Sequence, residues 1–280
     1  MQATTSPLMS TDALAARLGS PDLVVIDASW YLPTQKRDGR ADWLKEHIPG
    51  AVFFDIDAIS DHSTPLPHML PPEADFSAAM GELGVGDGMT AVVYEASGLF
   101  SAARVWWMLR VFGMRDVYLL DGGLPLWKQE GRPVEAGAVR RSPAKFTAKL
   151  DRAAVASLDD VRDGLMERTI QVVDARAGAR FRGEAPEPRP GLPSGHMPGA
   201  LSLPVGDLVA DGRLLPVHAL RKAFVKAKFD PKKPAISSCG SGVSAAIVNL
   251  ALEVAGEPAP RLYDGSWTEW ASKGMPVAKG

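Results

Sequence analysis

Ala235-Ile236-Ser237-Ser238-Cys239-Gly240-Ser241-Gly242-Val243-Ser244-Ala245 joins a short apolar run, a glycine-bearing loop that opens on a cysteine, and the start of a helical pattern. A strand feeding through such a loop into a helix is the repeating unit of an open α/β sheet. In those sheets ligands bind beyond the carboxyl ends of the strands. Gly240 and Gly242 permit backbone angles that other residues avoid, so successive N–H groups can curl into an anion-binding nest. A helix starting near Ser244 would aim its positive end at the same spot. A thiol held there is expected to favour the thiolate, which is the nucleophilic form. The plainer alternative is a turn before a helix with Cys239 as an inert first residue, since a lone cysteine is most often a small buried hydrophobe.

Outward from this loop, the chain contains itself twice. Val24-Val25-Ile26-Asp27-Ala28 has its counterpart in Val172-Val173-Asp174-Ala175. His47-Ile48-Pro49-Gly50-Ala51 returns as His196-Met197-Pro198-Gly199-Ala200, and Asp121-Gly122-Gly123-Leu124-Pro125-Leu126-Trp127 as Asp264-Gly265-Ser266-Trp267-Thr268-Glu269-Trp270. Three blocks in one order, at nearly constant offset, mean two homologous domains. Leu23–Ile26, Ala91–Tyr94 and Val117–Leu120 read as buried strands of the first, and Ile170–Val173, Ala235–Ser238 and Arg261–Tyr263 as those of the second. The stretches Ser101–Val111 and Val243–Val254 are amphipathic. Continuous apolar strands alternating with helices predict an α/β fold, with a parallel sheet in each domain and helices on both faces. Gly131–Ser142 has weak periodicity and reads as the linker, which gives domains 1–142 and 143–280. Gly183–Gly195 and Pro65–Pro72 are long loops, and loops of that kind inside a compact domain are usually functional or disordered.

Composition narrows the function classes. The chain has 280 residues, 46% hydrophobic and 23% charged, with a formal net charge of −2. That balance is ordinary for a globular protein and offers no basic stripe for nucleic acid. No apolar run approaches the roughly 20 residues of a membrane span. Met1–Ser10 shows neither a basic n-region nor an apolar h-region, so the cytoplasm is the expected compartment. A single cysteine excludes an internal disulfide and C-x-x-C metal clusters, and the five histidines lack H-x-x-x-H spacing; neither a metal nor a cofactor is expected. The duplication also supplies a control for Cys239. In the first domain the corresponding segment is Tyr94-Glu95-Ala96-Ser97-Gly98-Leu99-Phe100-Ser101, with Glu95 about where Cys239 stands. A carboxylate can replace a thiol in a copy without a chemical role, so one reactive and one supporting domain are expected.

The tandem arrangement, both H-x-P-G-A blocks and the D-G-x-x-x-x-W blocks resemble the rhodanese-type sulfurtransferase superfamily, over nearly the whole chain. Cys239-Gly240-Ser241-Gly242-Val243 resembles the C-G-S-G-V loop of its 3-mercaptopyruvate-using branch. The thiosulfate-using branch carries C-R-K-G-V instead. The resemblance implies two rhodanese-like domains, the second catalytic, an active site between them, and a persulfide on Cys239. It implies that the loop residues Gly240, Gly242, Val243 and Ser244 hold the sulfur. It also implies that Arg180 and Arg189, the first and last arginines of an R-F-R-G…E-P-R motif, bind the donor, while Arg182 stays a solvated loop charge. Guanidinium grips a carboxylate through two parallel hydrogen bonds, as 3-mercaptopyruvate requires. His47 resembles the histidine of a Ser–His–Asp relay with Ser241 and an upstream aspartate, best matched by Asp38 with Asp42 also open; His196 reads as a structural duplicate. The implied acceptors are thioredoxin, low-molecular thiols or cyanide. Alternatives are a thiosulfate:cyanide sulfurtransferase, disfavoured by the uncharged Gly240-Ser241 pair, and a non-catalytic sulfur carrier, in which Arg180 and Arg189 would be superfluous. A cysteine phosphatase would need a loop ending in a phosphate-binding arginine, which is absent here.

Overall fold

The structure is a computed structural model and describes residues 6–280, so the first five residues of the Met1–Ser10 stretch lie outside the described residues. The chain divides into two compact units. The first carries β1 (Leu8–Met9), β2 (Leu23–Asp27), β3 (Val52–Phe53), β4 (Thr90–Tyr94) and β5 (Asp116–Leu120). These form one parallel sheet in the order β1-β5-β4-β2-β3. The second carries β6 (Val155–Ala156), β7 (Gln171–Asp174) and β8 (Leu201–Ser202), then the short β9 (Val209–Ala210) and β10 (Arg213–Leu214), then β11 (Ala235–Ser238) and β12 (Arg261–Tyr263). Its sheet is also parallel, in the matching order β6-β12-β11-β7-β8.

In each sheet the first two crossovers run one way and the next two run back. Right-handed connection then places helices on both faces. Burial follows. Every residue of β2 and β4 is buried, which is why these strands read as continuous apolar runs. The edge strands β1, β3, β6 and β8 are two residues each and leave no periodic trace. The helices Ala102–Val111 and Ala245–Val254 stand where amphipathic stretches were expected, but they are buried almost all round: every residue of the first but Arg110, and Ala245–Leu252 of the second. Among the described residues no helix is long and apolar enough to cross a membrane.

The repeated blocks do the same structural work in both units. Trp127 donates its indole N–H to Pro133 O at 2.7 Å, and Trp270 donates to Pro276 O at 2.8 Å. His47 pairs through its backbone with Glu135, and His196 with Ala278, each as an isolated antiparallel bridge. Each H-x-P-G-A turn thus tethers the segment that follows its own D-G-x-x-x-x-W helix.

The boundary between the units differs from the expected one at 142/143. The first unit holds the chain up to Ser60, Pro71–Asp151 and Asp211–Arg213; the second holds Asp61–Leu70, Arg152–Ala210 and Leu214–Gly280. The aperiodic stretch after Ser142 is bound to the first core. Ala144 N–H donates to Gly81 O, Asp87 N–H to Lys145 O, and Asp151 N–H to Val111 O. The Phe146 ring meets that of Phe76 edge-on at 5.8 Å. Side chains of the first unit add to this: Asp87 accepts from Thr147 N–H and Oγ1, Ser77 Oγ from Ala148 N–H and Glu73 from Leu150 N–H, so an extended segment is held without any periodicity for sequence to display.

Candidate active site

Ser238 at the end of β11 is in register with Asp174 at the end of β7. Strand order reverses between these two neighbours, so the loops leaving them meet at the topological switch point of the sheet. Cys239 opens one loop, with 2% of its surface exposed. Its carbonyl accepts from Trp267 N–H at 3.0 Å, and Gly240 O accepts from Thr268 N–H at 3.0 Å and Thr268 Oγ1 at 2.6 Å. Gly242 has φ 74°, the left-handed angle its glycine permits. Gly240 does not take such an angle; its small size matters for another reason, described below.

Ser266 organises this loop from within. Its hydroxyl accepts from Cys239 N–H and Gly242 N–H, both at 3.1 Å, and donates to Tyr263 O at 2.8 Å. It does so with φ 50°, while the equivalent residue of the first unit, Gly123, has φ 54°. A side chain at such an angle costs about 1–2 kcal/mol. Only the unit with the cysteine bears that cost, and strain of this kind clusters at working sites. Ser266→Gly therefore relieves strain while unpairing two buried amides, each worth roughly 1–3 kcal/mol. The expected outcome is a modest fall in Tm with a roughly ten-fold or greater slowing of Cys239 alkylation and of sulfur uptake. Wild-type alkylation and uptake rates would show that the hydroxyl does not shape the loop.

The loop after β7 brings the arginines. A Cβ placed on Gly240 would lie 3.4 Å from Arg180 Nη2 and 3.8 Å from Arg189 Nη1. Both guanidiniums therefore reach the residue next to Cys239, and a larger side chain at position 240 would run into them. Arg182 instead forms an exposed pair with Glu184. Arg180 is bound by Glu187, whose other carboxylate oxygen accepts from Arg176 Nη1 at 2.8 Å.

The histidine beside Ser241 is His68, not His47. His68 Nδ1 lies 3.0 Å from Ser241 Oγ, and both residues are buried and belong to the second unit. Backbone contacts fix the histidine there: Leu70 N–H donates to Asp264 Oδ2 at 2.7 Å, Asp61 N–H donates to Met69 O at 2.9 Å, and His68 itself has φ 61°. His47 is wholly buried, with Nδ1 2.7 Å from Trp43 O and Nε2 3.1 Å from Glu135. Both ring nitrogens thus serve the first unit's own packing. His196 repeats the device, with Nδ1 2.9 Å from Phe181 O and its ring stacked on Phe181 at 3.8 Å. Asp38 caps the helix Gly39–Lys45 by accepting from Ala41 N–H at 3.1 Å. Asp42 accepts from Tyr31 Oη at 2.8 Å and pairs with Arg37. The expected His47–Asp38 relay is therefore replaced by a Ser241–His68 pair. Pro65–Pro72 had stood out only as a long loop, which pointed to the segment and not to the residue.

In the first unit the corresponding loop closes on itself. Glu95 is wholly buried, and its carboxylate accepts from Ser97 Oγ at 2.6 Å, Ser101 Oγ at 2.9 Å and Ala102 N–H at 2.7 Å. A buried, hydrogen-bonded carboxyl group fills the place where the second unit presents a thiol.

A buried thiol in a glycine loop at a parallel-sheet switch point, carried by one of two duplicated units, is the arrangement of a tandem rhodanese. A profile of the rhodanese-like domain matches residues 10–130 and again 157–273, and the chain belongs to that family. Among its relatives, 3-mercaptopyruvate sulfurtransferase of Homo sapiens is 45% identical over 265 residues, covering 94% of this chain and 89% of the relative. Thiosulfate/3-mercaptopyruvate sulfurtransferase 1, mitochondrial, of Arabidopsis thaliana is 42% identical over 292 residues, covering 96% and 77%. The crystal structure of SseA from Escherichia coli, one of the 3-mercaptopyruvate sulfotransferases, superposes with a TM-score of 0.87 at 44% identity, covering 94% of this chain and 99% of that one.

Proposed function

We propose that this protein is an enzyme that moves sulfur from 3-mercaptopyruvate to a thiol acceptor through a persulfide on Cys239. The observation that carries the reading is the placement of Arg180 and Arg189 against Gly240, one residue from the thiol. A donor whose carboxylate is gripped there presents its sulfur to Cys239.

The thiolate attacks the donor's sulfur, forming the S–S bond as the carbon–sulfur bond breaks. The electron pair of that bond passes to the carbon, giving the enolate of pyruvate, which takes up a proton and leaves. An acceptor thiolate then attacks the outer sulfur, carries it away and returns Cys239 as thiolate. Splitting the transfer into two displacements is covalent catalysis. Of the four loop residues expected to hold the sulfur, Gly242 gives its N–H to Ser266 Oγ at 3.1 Å, so the amides of Gly240, Val243 and Ser244 hold the anionic sulfur between the steps. The Ser241–His68 pair, 3.0 Å apart, supplies the proton to the enolate carbon. Low-molecular thiols and thioredoxin are the acceptors that this chemistry fits best, with cyanide as an artificial one. A free catalytic thiol needs a reducing compartment, and the cytoplasm is the one proposed.

Thiosulfate is a weaker second donor, as the double name of the Arabidopsis relative suggests. It is a dianion with its charge around the reacting sulfur, and its departing sulfite needs no protonation at carbon. Sulfur release from both donors, measured in parallel under one acceptor, is expected to favour 3-mercaptopyruvate. Ser241→Ala is expected to lower kcat with 3-mercaptopyruvate by about 10²-fold, the usual size of a lost acid–base partner, while thiosulfate turnover falls far less. Faster thiosulfate turnover in the wild type would overturn the donor assignment, and equal losses in the variant would overturn the proton-transfer role.

A further inference from the structure

Behind the donor's arginine lies a buried row of charges that the proposed reaction does not by itself require. Asp174 at the end of β7 binds Arg176, whose Nε lies 3.0 Å from each carboxylate oxygen and whose Nη2 lies 2.6 Å from Oδ2. Arg176 Nη1 reaches Glu187 Oε1 at 2.8 Å, and Glu187 Oε2 accepts from Arg180. Side-chain exposure is 1% for Arg176 and 2% for Asp174 and Glu187, but 21% for Arg180. The Arg176 guanidinium also lies 4.2 Å over the Trp267 ring and donates to Gly195 O at 2.7 Å. The row is locked at its inner end and opens only at Arg180.

The first unit shows the same position without the row. There Asp27 takes the place of Asp174 and Ser29 that of Arg176. Asp27 receives Ser29 N–H at 2.9 Å, and burial pushes its carboxyl up to about 6. The arginine–glutamate–arginine extension thus belongs to the unit with the thiol. Its four charges alternate and cancel, so Arg180 offers directed N–H donors with its charge largely balanced from behind.

We infer that Glu187 is a positioning and specificity-determining residue that holds Arg180 in plane for a carboxylate and tempers its charge, so that the site favours a monoanionic 2-oxo acid over a dianion. This rests on the reading that Arg180 grips the donor. Glu187 spends the Nε–Nη2 edge of Arg180 on its own carboxylate, which fixes the guanidinium plane and leaves the Nη1 side for the ligand. Discrimination of this kind is a difference of two affinities, set as much by what is withheld from the wrong donor as by what is given to the right one.

The test compares Glu187→Gln, Glu187→Asp and Arg180→Ala, with 3-mercaptopyruvate and thiosulfate assayed separately. Tm and the rate of Cys239 alkylation are followed in each variant. Glu187→Gln removes the charge and keeps the shape. It is expected to raise the KM for 3-mercaptopyruvate several-fold with kcat little changed, and to shift the kcat/KM ratio about ten-fold toward thiosulfate. Glu187→Asp keeps the charge on a shorter arm, so it is expected to raise the 3-mercaptopyruvate KM while holding the donor ratio near the wild-type value. An unchanged ratio in Glu187→Gln, or the same shift in both Glu187 variants, overturns the inference. If Arg180→Ala leaves the 3-mercaptopyruvate KM untouched, the donor-clamp reading itself falls, which is a separate result.

Discussion

Cys239→Ser is expected to reduce pyruvate release from 3-mercaptopyruvate to background while the protein stays folded. A hydroxyl at this position cannot accept sulfur from the donor, because the step needs a thiolate and ends in an S–S bond. The site tolerates the exchange in space, since serine is the smaller residue. It leaves the loop's framework intact, because the bonds from Trp267, Thr268 and Ser266 all go to backbone atoms of Cys239, Gly240 and Gly242. Burying one more hydroxyl costs on the order of 1 kcal/mol, which lowers Tm by about 2–4 °C in a protein of this size. Pyruvate release and thermal unfolding, measured on one preparation, check both parts. Turnover of more than a few per cent in a folded variant would mean that the sulfur travels by another route.

The second large effect is expected from the arginines. Arg180→Ala and Arg189→Ala each remove a charge-assisted partner worth roughly 1.5–3 kcal/mol, so the 3-mercaptopyruvate KM rises about ten- to a hundred-fold. The double variant is expected to lose less than the product of the two, because both side chains act on one carboxylate. The acceptor's KM changes little. The fold survives Arg180→Ala because Glu187 keeps its bond to Arg176. Steady-state kinetics with donor and acceptor varied in turn decide the matter. A donor KM unmoved in both single variants would place the carboxylate elsewhere.

Sequence revealed the fold to the extent that packing left a periodic trace. β2, β4, β7 and β11 are central and largely buried, and each was read within a residue of its true ends; β2 and β4 appeared as apolar runs, whereas β11 ends on the buried Ser237 and Ser238 and was placed by the glycine loop that follows it. The edge strands were invisible because two residues of pairing impose no pattern. The boundary at Asp151 differs from the expected one for a similar reason: the segment after Ser142 is held mostly through its own backbone groups, which leave no periodic pattern in the side chains.

The site was legible where function and duplication diverge. Cys239 stood out because its counterpart is Glu95, and the structure shows that carboxylate fully engaged by its own loop. His47 misled because it is duplicated. A residue present in both copies serves what both share, here the tether between the H-x-P-G-A turn and the segment beyond the tryptophan helix. His68 has no counterpart to compare, and only the fold of Asp61–Leu70 brings it to Ser241. Glu187 stood inside the quoted E-P-R motif, where only the arginine was given a role. Its role depends on a bond to Arg176, eleven residues away, and on burial that composition cannot reveal.

The most direct test of the persulfide on Cys239 is an intact-mass measurement after exposure to 3-mercaptopyruvate without acceptor, followed by peptide mapping. The expected result is a gain of one sulfur atom, about 32 Da, on the peptide containing Cys239, lost again when a thiol acceptor is added. Release of pyruvate with acceptor present, but no added sulfur on Cys239 in its absence, would contradict the covalent route.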